Sequence, residues 1–393
     1  MATLLLIVIY IAFIGLGIPD SLFGSAWPAI YQDFNLPFSY ANFITVAISV
    51  FTVSSSIFSS KIIEKFGTGN VTAFSTLLTA IGLFGFCISS NIWFMLCFSL
   101  PLGLGAGCID SGLNNYVAVN YKPIHMNIIN CFYGIGVCVS PFFVSIALTT
   151  TSSWRNGYFI IFLVQLLLAL LVFLSLPIWK KQKNKLVLTE TIEKEKVSYK
   201  SILKDKLLYF VCLVFAGTCA VEFCLGTWCT TYLVKIKEFM PETAALCLTF
   251  YYAGMTIGRL VSGLLTLKLK PFKIIVLGQI VTFIALLFLF FNLSIYTICI
   301  TLFFVSFGNG AVFPNLAYLT PKNFGKQASQ SVMGIQMASC YVGVTIMPFV
   351  FSVVSSAVGM QIFPLFLIIM YCIMATGTVL TVITLKRRNN FEF

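Results

Sequence analysis

Residues 179–206 read WKKQKNKLVLTETIEKEKVSYKSILKDK, which gathers nine Lys and four acidic residues in a chain where only 9% of residues are charged. A segment so short and so charged cannot bury a core of its own, so it reads as a linker, and the fold is decided by what it divides. Crossing the hydrocarbon layer takes about 20 consecutive apolar residues in a helix. By that measure six runs precede the linker, near 4–31, 39–60, 71–90, 92–119, 127–149 and 155–178. Six more follow, near 207–234, 242–267, 272–292, 294–320, 328–352 and 361–385. The expected fold class is an all-α membrane protein of twelve transmembrane helices. Its six-helix bundles would be residues 1–178 and 207–393, joined by a cytoplasmic linker at 179–206.

Composition supports lipid as the solvent. The chain is 59% hydrophobic, with a mean hydropathy of +0.99 and 40 Phe, far outside the range of soluble domains. Its net charge of +12 would suggest a nucleic-acid partner if the chain were soluble. The positions of the charges argue otherwise. With the N-terminus inside, the cytoplasmic segments hold twenty Lys and Arg and the outer ones only Arg155, Lys235 and Lys237. That bias orients a multi-pass protein with both termini in the cytoplasm, and no nucleic-acid partner is expected. The first residues, MATLLLIVIYIAFIGLGIPD, lack a basic start and a cleavage site, so they read as the first span and not as a signal peptide.

The 13 Cys show no CxxC pair and read as small buried hydrophobes, so neither a metal nor a cofactor is expected. A single His125 leaves no Ser-His-Asp arrangement, which argues against an enzyme. A receptor would normally carry a sizeable soluble signalling domain, and this sequence shows none.

The two halves repeat each other. Tyr133-Gly-Ile-Gly136-Val-Cys-Val-Ser-Pro141-Phe142 in the fifth span matches Tyr341-Val-Gly343-Val-Thr-Ile-Met-Pro348-Phe349 in the eleventh. Both contain Gly-Val, three residues, then Pro-Phe. The fourth and tenth spans share Gly-x-Gly, at Gly105/Gly107 and Gly308/Gly310. Duplicated bundles of this kind mark transporters.

An ionisable side chain inside a span is costly unless it faces a cavity or finds a partner, so each is a functional candidate. Four are present: Asp20, Asp110, Glu222 and Arg259. Asp20 and Glu222 fall near the midplane of equivalent spans, as a central two-sided binding site requires, and Gly15, Gly17 and Pro19 loosen the helix before Asp20. Asp110 sits in the most polar stretch of any span, Gly103-Leu-Gly-Ala-Gly-Cys-Ile-Asp-Ser-Gly-Leu-Asn-Asn-Tyr116, with Asn114 one turn on. Burial away from water favours a neutral carboxyl, which suits Asp110 to carry a proton. The plain alternative for each acid is a packing role, satisfied by neighbouring amides or hydroxyls. Arg259 either pairs with a carboxylate or reaches back to the surface. Further candidates for contact with substrate are Asn114, Asn130, Tyr133, Trp228, Asn309, Asn315 and Gln336. Amides match sugar hydroxyls and aromatic faces match the C–H face of the ring.

Twelve spans, a central linker and duplicated halves resemble the major facilitator superfamily. The loop after the second span, Ser60-Lys-Ile-Ile-Glu64-Lys65-Phe-Gly67, is similar to its Gly-x-Leu-x-Asp-Arg-x-Gly signature, with the acid, the base and the last glycine kept. Two stretches resemble the fucose permease branch of sugar:proton symporters. One is Gly105-x-Gly-x-x-Asp110-x-x-x-Asn114 with Met126-Asn127 and Phe132-Tyr-Gly134-x-Gly136; the other is Gly254-Met-Thr-Ile-Gly-Arg259-Leu-x-Ser262-Gly263.

The resemblance implies a span-1 acid that takes part in sugar binding, at Asp20, and a span-4 acid that carries the proton, at Asp110. It further implies gating by Glu64, Lys65, Gly67 and Arg259, and uptake by alternating access through a monomer in the cell membrane; the excess of Lys over Arg points to a bacterial one. Proton-driven efflux is the competing reading. Its span-5 pattern, Gly-x-x-x-Gly-Pro-x-x-Gly-Gly, is replaced here by Ser140-Pro141-Phe142-Phe143, without the glycines beside the proline.

Overall fold

Lipid offers no water to a backbone N–H or C=O, so apolar runs must satisfy these groups internally, and the helix does so within one segment. The computed structural model describes residues 2–37, 40–151, 153–181, 199–291 and 294–388, and they contain helices and no strand. In chain order the first half holds α1 (Ala2–Asp33), α2 (Ala41–Phe66), α3 (Thr68–Ile88), α4 (Ile92–Asn120), α5 (Pro123–Thr151) and α6 (Trp154–Leu174). A short α7 (Tyr199–Lys204) precedes α8 (Lys206–Ile236), α9 (Pro241–Leu265), α10 (Pro271–Phe288), α11 (Ile295–Gly310), α12 (Val312–Phe324), α13 (Lys326–Val358) and α14 (Phe363–Arg387). Among the described residues eleven helical segments are long and apolar enough to span a membrane. The 25-residue α9, long enough to cross at about 1.5 Å per residue, makes twelve.

Two details differ from the expected spans. The tenth is two helices, because Ala311 interrupts it: Pro314 has no N–H to give the Gly310 carbonyl four residues back. The linker, in turn, contains α7, whose Ile202 packs on Leu208, Ala328 and Val332. Residues 182–198 of that linker lie outside the described residues.

The chain divides into two compact units, Met1–Tyr116 with Ile129–Lys196 and Val117–Ile128 with Val197–Phe393. The turn between α4 and α5 thus groups with the second unit, where a Cβ on Gly263 would lie 3.0 Å from that of Asn127.

Within each unit the helices meet through small residues, the usual means of close approach in lipid. A Cβ on Gly136 would collide with the Ile14 carbonyl oxygen and approach the Ile18 nitrogen; one on Gly343 would do the same to Ala216 and Ala220. Gly105 presses on Ser75 and Thr79, and Gly308 on Gly278 and Thr282. The repeated glycines therefore do the same work in both units. Amide–hydroxyl clasps repeat as well: Gln165 Nε2 donates to Thr79 Oγ1 at 2.7 Å, and Gln279 Nε2 to Thr378 Oγ1 at 2.7 Å. At the end of the first unit, Arg155 and Trp154 both donate to Asp33 Oδ2, at 2.7 and 3.1 Å, tying α6 to α1.

Candidate functional site

In the first unit, Gly17 and Gly136 let α1 and α5 touch backbone to backbone. Just beyond that contact Tyr133 Oη donates to Asp20 Oδ2 at 2.5 Å, and Ser21 Oγ donates to the Val137 carbonyl at 2.5 Å. The rigid crossing fixes the pair. Asp20 is exposed and Tyr133 half-buried, while Asn130, one turn earlier on α5, is buried. An exposed carboxylate that accepts from a phenol keeps acceptor capacity for further donors.

On α4 the half-buried Asp110 is held by Asn114, whose Nδ2 donates to the Asp110 carbonyl at 2.9 Å and to its Oδ1 at 2.8 Å. The Oδ1 atoms of Asn114 and Asn115 are buried without a hydrogen-bond partner among the described residues. A buried acceptor left so costs about 1–3 kcal/mol, and a hydroxyl or water placed beside it would recover that energy.

In the second unit, Arg259 Nη2 donates to Glu222 Oε1 at 3.3 Å; the side chains are 6% and 15% exposed. Pairing takes precedence over reaching the surface because an unmatched guanidinium within the membrane costs about 2.5–3.5 kcal/mol even on the mildest scale. Tyr251 Oη donates to the Glu222 carbonyl at 3.0 Å. The register repeats that of the first unit. Asp20 lies six residues beyond Ile14, and Glu222 six beyond Ala216, the two carbonyls met by Gly136 and Gly343.

Other candidates are engaged to different degrees. Trp228 Nε1 donates to the Pro348 carbonyl at 3.0 Å, which ties α8 to α13. Asn309 uses both ends of its amide on Thr218, at 2.8 and 3.0 Å, so it clasps α8 to α11. Asn315 Nδ2 donates to Ser262 Oγ and to the Ala311 carbonyl, at 2.6 and 2.7 Å, and its buried Oδ1 has no partner among the described residues. Gln336 Oε1 accepts from Thr320 Oγ1 at 2.7 Å, and its buried Nε2 likewise lacks a partner there. Glu64 and Lys65 are exposed at the end of α2, Lys65 Nζ 5.2 Å from the centre of the Phe66 ring. Gly67, at φ 81°, ends that helix in a conformation that favours glycine. Among the described residues no group of three or more His, Cys, Asp or Glu is arranged to hold a metal.

Ser21, Thr218, Tyr251, Ser262 and Thr320 were not singled out from sequence. Only Ser262 gave a signal, by standing in the glycine-rich stretch that begins at Gly254. A hydroxyl inside a span is otherwise silent, because it can bond the carbonyl of its own preceding turn, as Thr52, Thr76 and Thr381 do.

Two helical units with repeated contacts and ionisable groups set within the spans define a polytopic membrane transporter. The chain belongs to the Major Facilitator Superfamily, whose family model matches residues 9–240 and again 225–391. It is accordingly a multi-pass membrane transporter and not an enzyme. Among curated proteins it is 23% identical to Bypass of stop codon protein 6 of Saccharomyces cerevisiae, over 90% of this chain and 78% of the yeast protein. It is 24% identical to a putative glucose/galactose transporter of Helicobacter pylori, over 60% of each chain. Solved structures share the fold, two of them as follows. FucP, a major facilitator transporter in the outward conformation, superimposes with a TM-score of 0.75 at 17% identity over 99% of both chains. The proton:xylose symporter XylE, bound to 6-bromo-6-deoxy-D-glucose, does so with 0.79 at 11% identity over 95% and 94%.

Proposed function

We propose that this protein takes up a sugar or similar small polar solute, coupled to protons, by alternating access. The observation that carries the reading is Asp20, an exposed carboxylate far inside a span and held by Tyr133. Such a charge is tolerable where it faces a water-filled cavity or finds a partner; Asp20 is exposed and its partner is a neutral phenol, so we place it on a wet chamber. Glu222 keeps the matching register within the second unit. Asp20, Asn114, Asn130, Tyr133, Glu222, Trp228, Asn309, Asn315 and Gln336 form the proposed substrate set. Asn114, Asn315 and Gln336 suit it best, since each has a buried amide atom without a partner among the described residues.

Asp110 carries the proton, with Asp20 as its coupled partner. Protonation from outside neutralises Asp110 and lets solute engage Asp20; the halves 1–178 and 207–393 then rock, and Asp110 discharges inward. Coupling of this kind needs only that protonation bias the conformational equilibrium. Glu64, Lys65, Gly67 and Arg259 gate the cycle. The protein works as a monomer in the cell membrane with both termini cytoplasmic. The names of the Helicobacter relative and of the xylose symporter, which speak of sugars, favour this class of solute.

The test is uptake of a panel of labelled hexoses, pentoses and polyols by transporter-deficient cells expressing the chain. At least one sugar should accumulate and should cease to do so when a protonophore is added. Accumulation indifferent to the protonophore, or expression that only empties cells of solute, would contradict the reading.

A further inference from the structure

A pocket of about 510 Å³ lies where α8 begins and α14 ends. Its frame is charged and fixed. Asp205 Oδ1 caps α8 by accepting the Leu207 N–H at 2.9 Å, and Arg388 grips both Asp205 oxygens, Nη1 on Oδ2 at 2.9 Å and Nη2 on Oδ1 at 2.6 Å. The charges of Asp205 and Arg388 answer one another. Lys204, Lys206 and Arg387 also line the pocket, and among the described residues none of the three has an anionic partner. Three positive charges around one small space repel each other. The rest of the wall is Thr384, whose hydroxyl is spent on the Leu380 carbonyl at 2.7 Å, and the apolar Phe210, Leu380 and Ile383, a turn or more farther into the same two membrane-spanning helices.

We propose that this pocket binds the phosphate headgroup of an anionic phospholipid, with the acyl chain against Phe210, Leu380 and Ile383. The charge surplus calls for an anion, and each Lys or Arg near an anionic membrane surface strengthens attraction to it. A soluble phosphate compound would satisfy the cations alone; the apolar wall running into the spans selects a ligand with a hydrocarbon tail. The site also stands on the side that the Lys and Arg count assigns to the cytoplasm, whose leaflet carries anionic lipid. It rests on the membrane-spanning reading and not on the identity of the solute.

The test uses the full-length protein in neutral detergent, with bound lipid counted by native mass spectrometry and the unfolding midpoint followed as lipid is added. Phosphatidylglycerol should stay bound and raise the midpoint, whereas phosphatidylcholine and glycerol 3-phosphate should not. Lys206→Gln with Arg387→Gln, which leaves Asp205 and Arg388 in place, should weaken phosphatidylglycerol binding by about thirtyfold. The charge-conserving Lys206→Arg with Arg387→Lys should retain it. If the neutralised double variant does not fold, Lys204→Gln alone should weaken binding by about fivefold. Equal stabilisation by phosphatidylcholine, equal stabilisation by glycerol 3-phosphate, or unchanged binding in the neutralised variants would each overturn the proposal. No sugar enters this assay, so its outcome and that of the uptake panel are independent.

Discussion

Tyr133 gives its hydroxyl to Asp20 at 2.5 Å, and a hydrogen bond to a charged group contributes about 1.5–3 kcal/mol. Tyr133→Phe should therefore raise the half-saturating solute concentration by about tenfold or more, read from initial rates of labelled uptake; an unchanged value would remove Tyr133 from the site. The buried Glu222–Arg259 pair makes a different prediction. Glu222→Gln removes the carboxylate that Arg259 Nη2 meets and should cost about 3–5 kcal/mol, seen as a lowered unfolding midpoint, while Glu222→Gln combined with Arg259→Gln should recover most of the loss. If the double variant is no better than the single one, the pair is not mutually compensating. The third case is Asp205, outside the spans. Partial burial acts to raise its carboxyl, but the Arg388 hydrogen bonds, the Leu207 N–H and the Arg388 charge outweigh it and hold the group below its ordinary 3.8. A depressed carboxyl stabilises the fold above its unfolded value and loses that contribution as pH falls through the folded one. Asp205→Asn should thus lower the midpoint at neutral pH, and the difference from the native chain should shrink below about pH 4.

At the scale of helices, stability rests on backbone contacts that admit no side chain. Gly136→Val and Gly343→Val each drive a side chain into a carbonyl of the facing helix, Ile14 in one unit and Ala216 in the other. Overpacking costs about 1–3 kcal/mol, so both variants should reduce folded protein and transport, measured by the monodisperse fraction and by uptake. Gly134→Ala, whose Cβ would meet nothing within 4 Å, should leave both unchanged. Helix positions were largely legible because length and hydropathy alone decide what spans lipid. The break at Ala311 was not, since Pro19, Pro28, Pro101 and Pro348 all lie inside continuous helices; whether a proline interrupts depends on what else reaches the freed carbonyl. The charged candidates were legible for a related reason: a carboxylate in oil needs an explanation, and Arg259, the basic one among them, had few acids to choose from. Their hydroxyl partners were hidden, because a Ser or Thr satisfied within its own helix looks the same in sequence as one that clasps a neighbour.

Over the whole molecule, duplication organises the fold and the proposed chemistry together. Asp20 and Glu222 keep one register relative to Gly136 and Gly343, although one carboxylate meets a phenol and the other a guanidinium. The second half thus holds its charge in a buried ion pair, while the first leaves Asp20 exposed. On the proposed mechanism this asymmetry gives the proton traffic to the first half, with Asp110 as the group that gains and loses the proton. Asp110→Asn, which keeps a polar side chain beside Asn114 but cannot titrate, separates coupling from translocation. Reconstituted in vesicles with an imposed proton gradient, this variant should fail to accumulate solute yet still exchange labelled for unlabelled solute across the membrane. Accumulation equal to that of the native chain would contradict the role of Asp110 and the proton-coupled mechanism built on it.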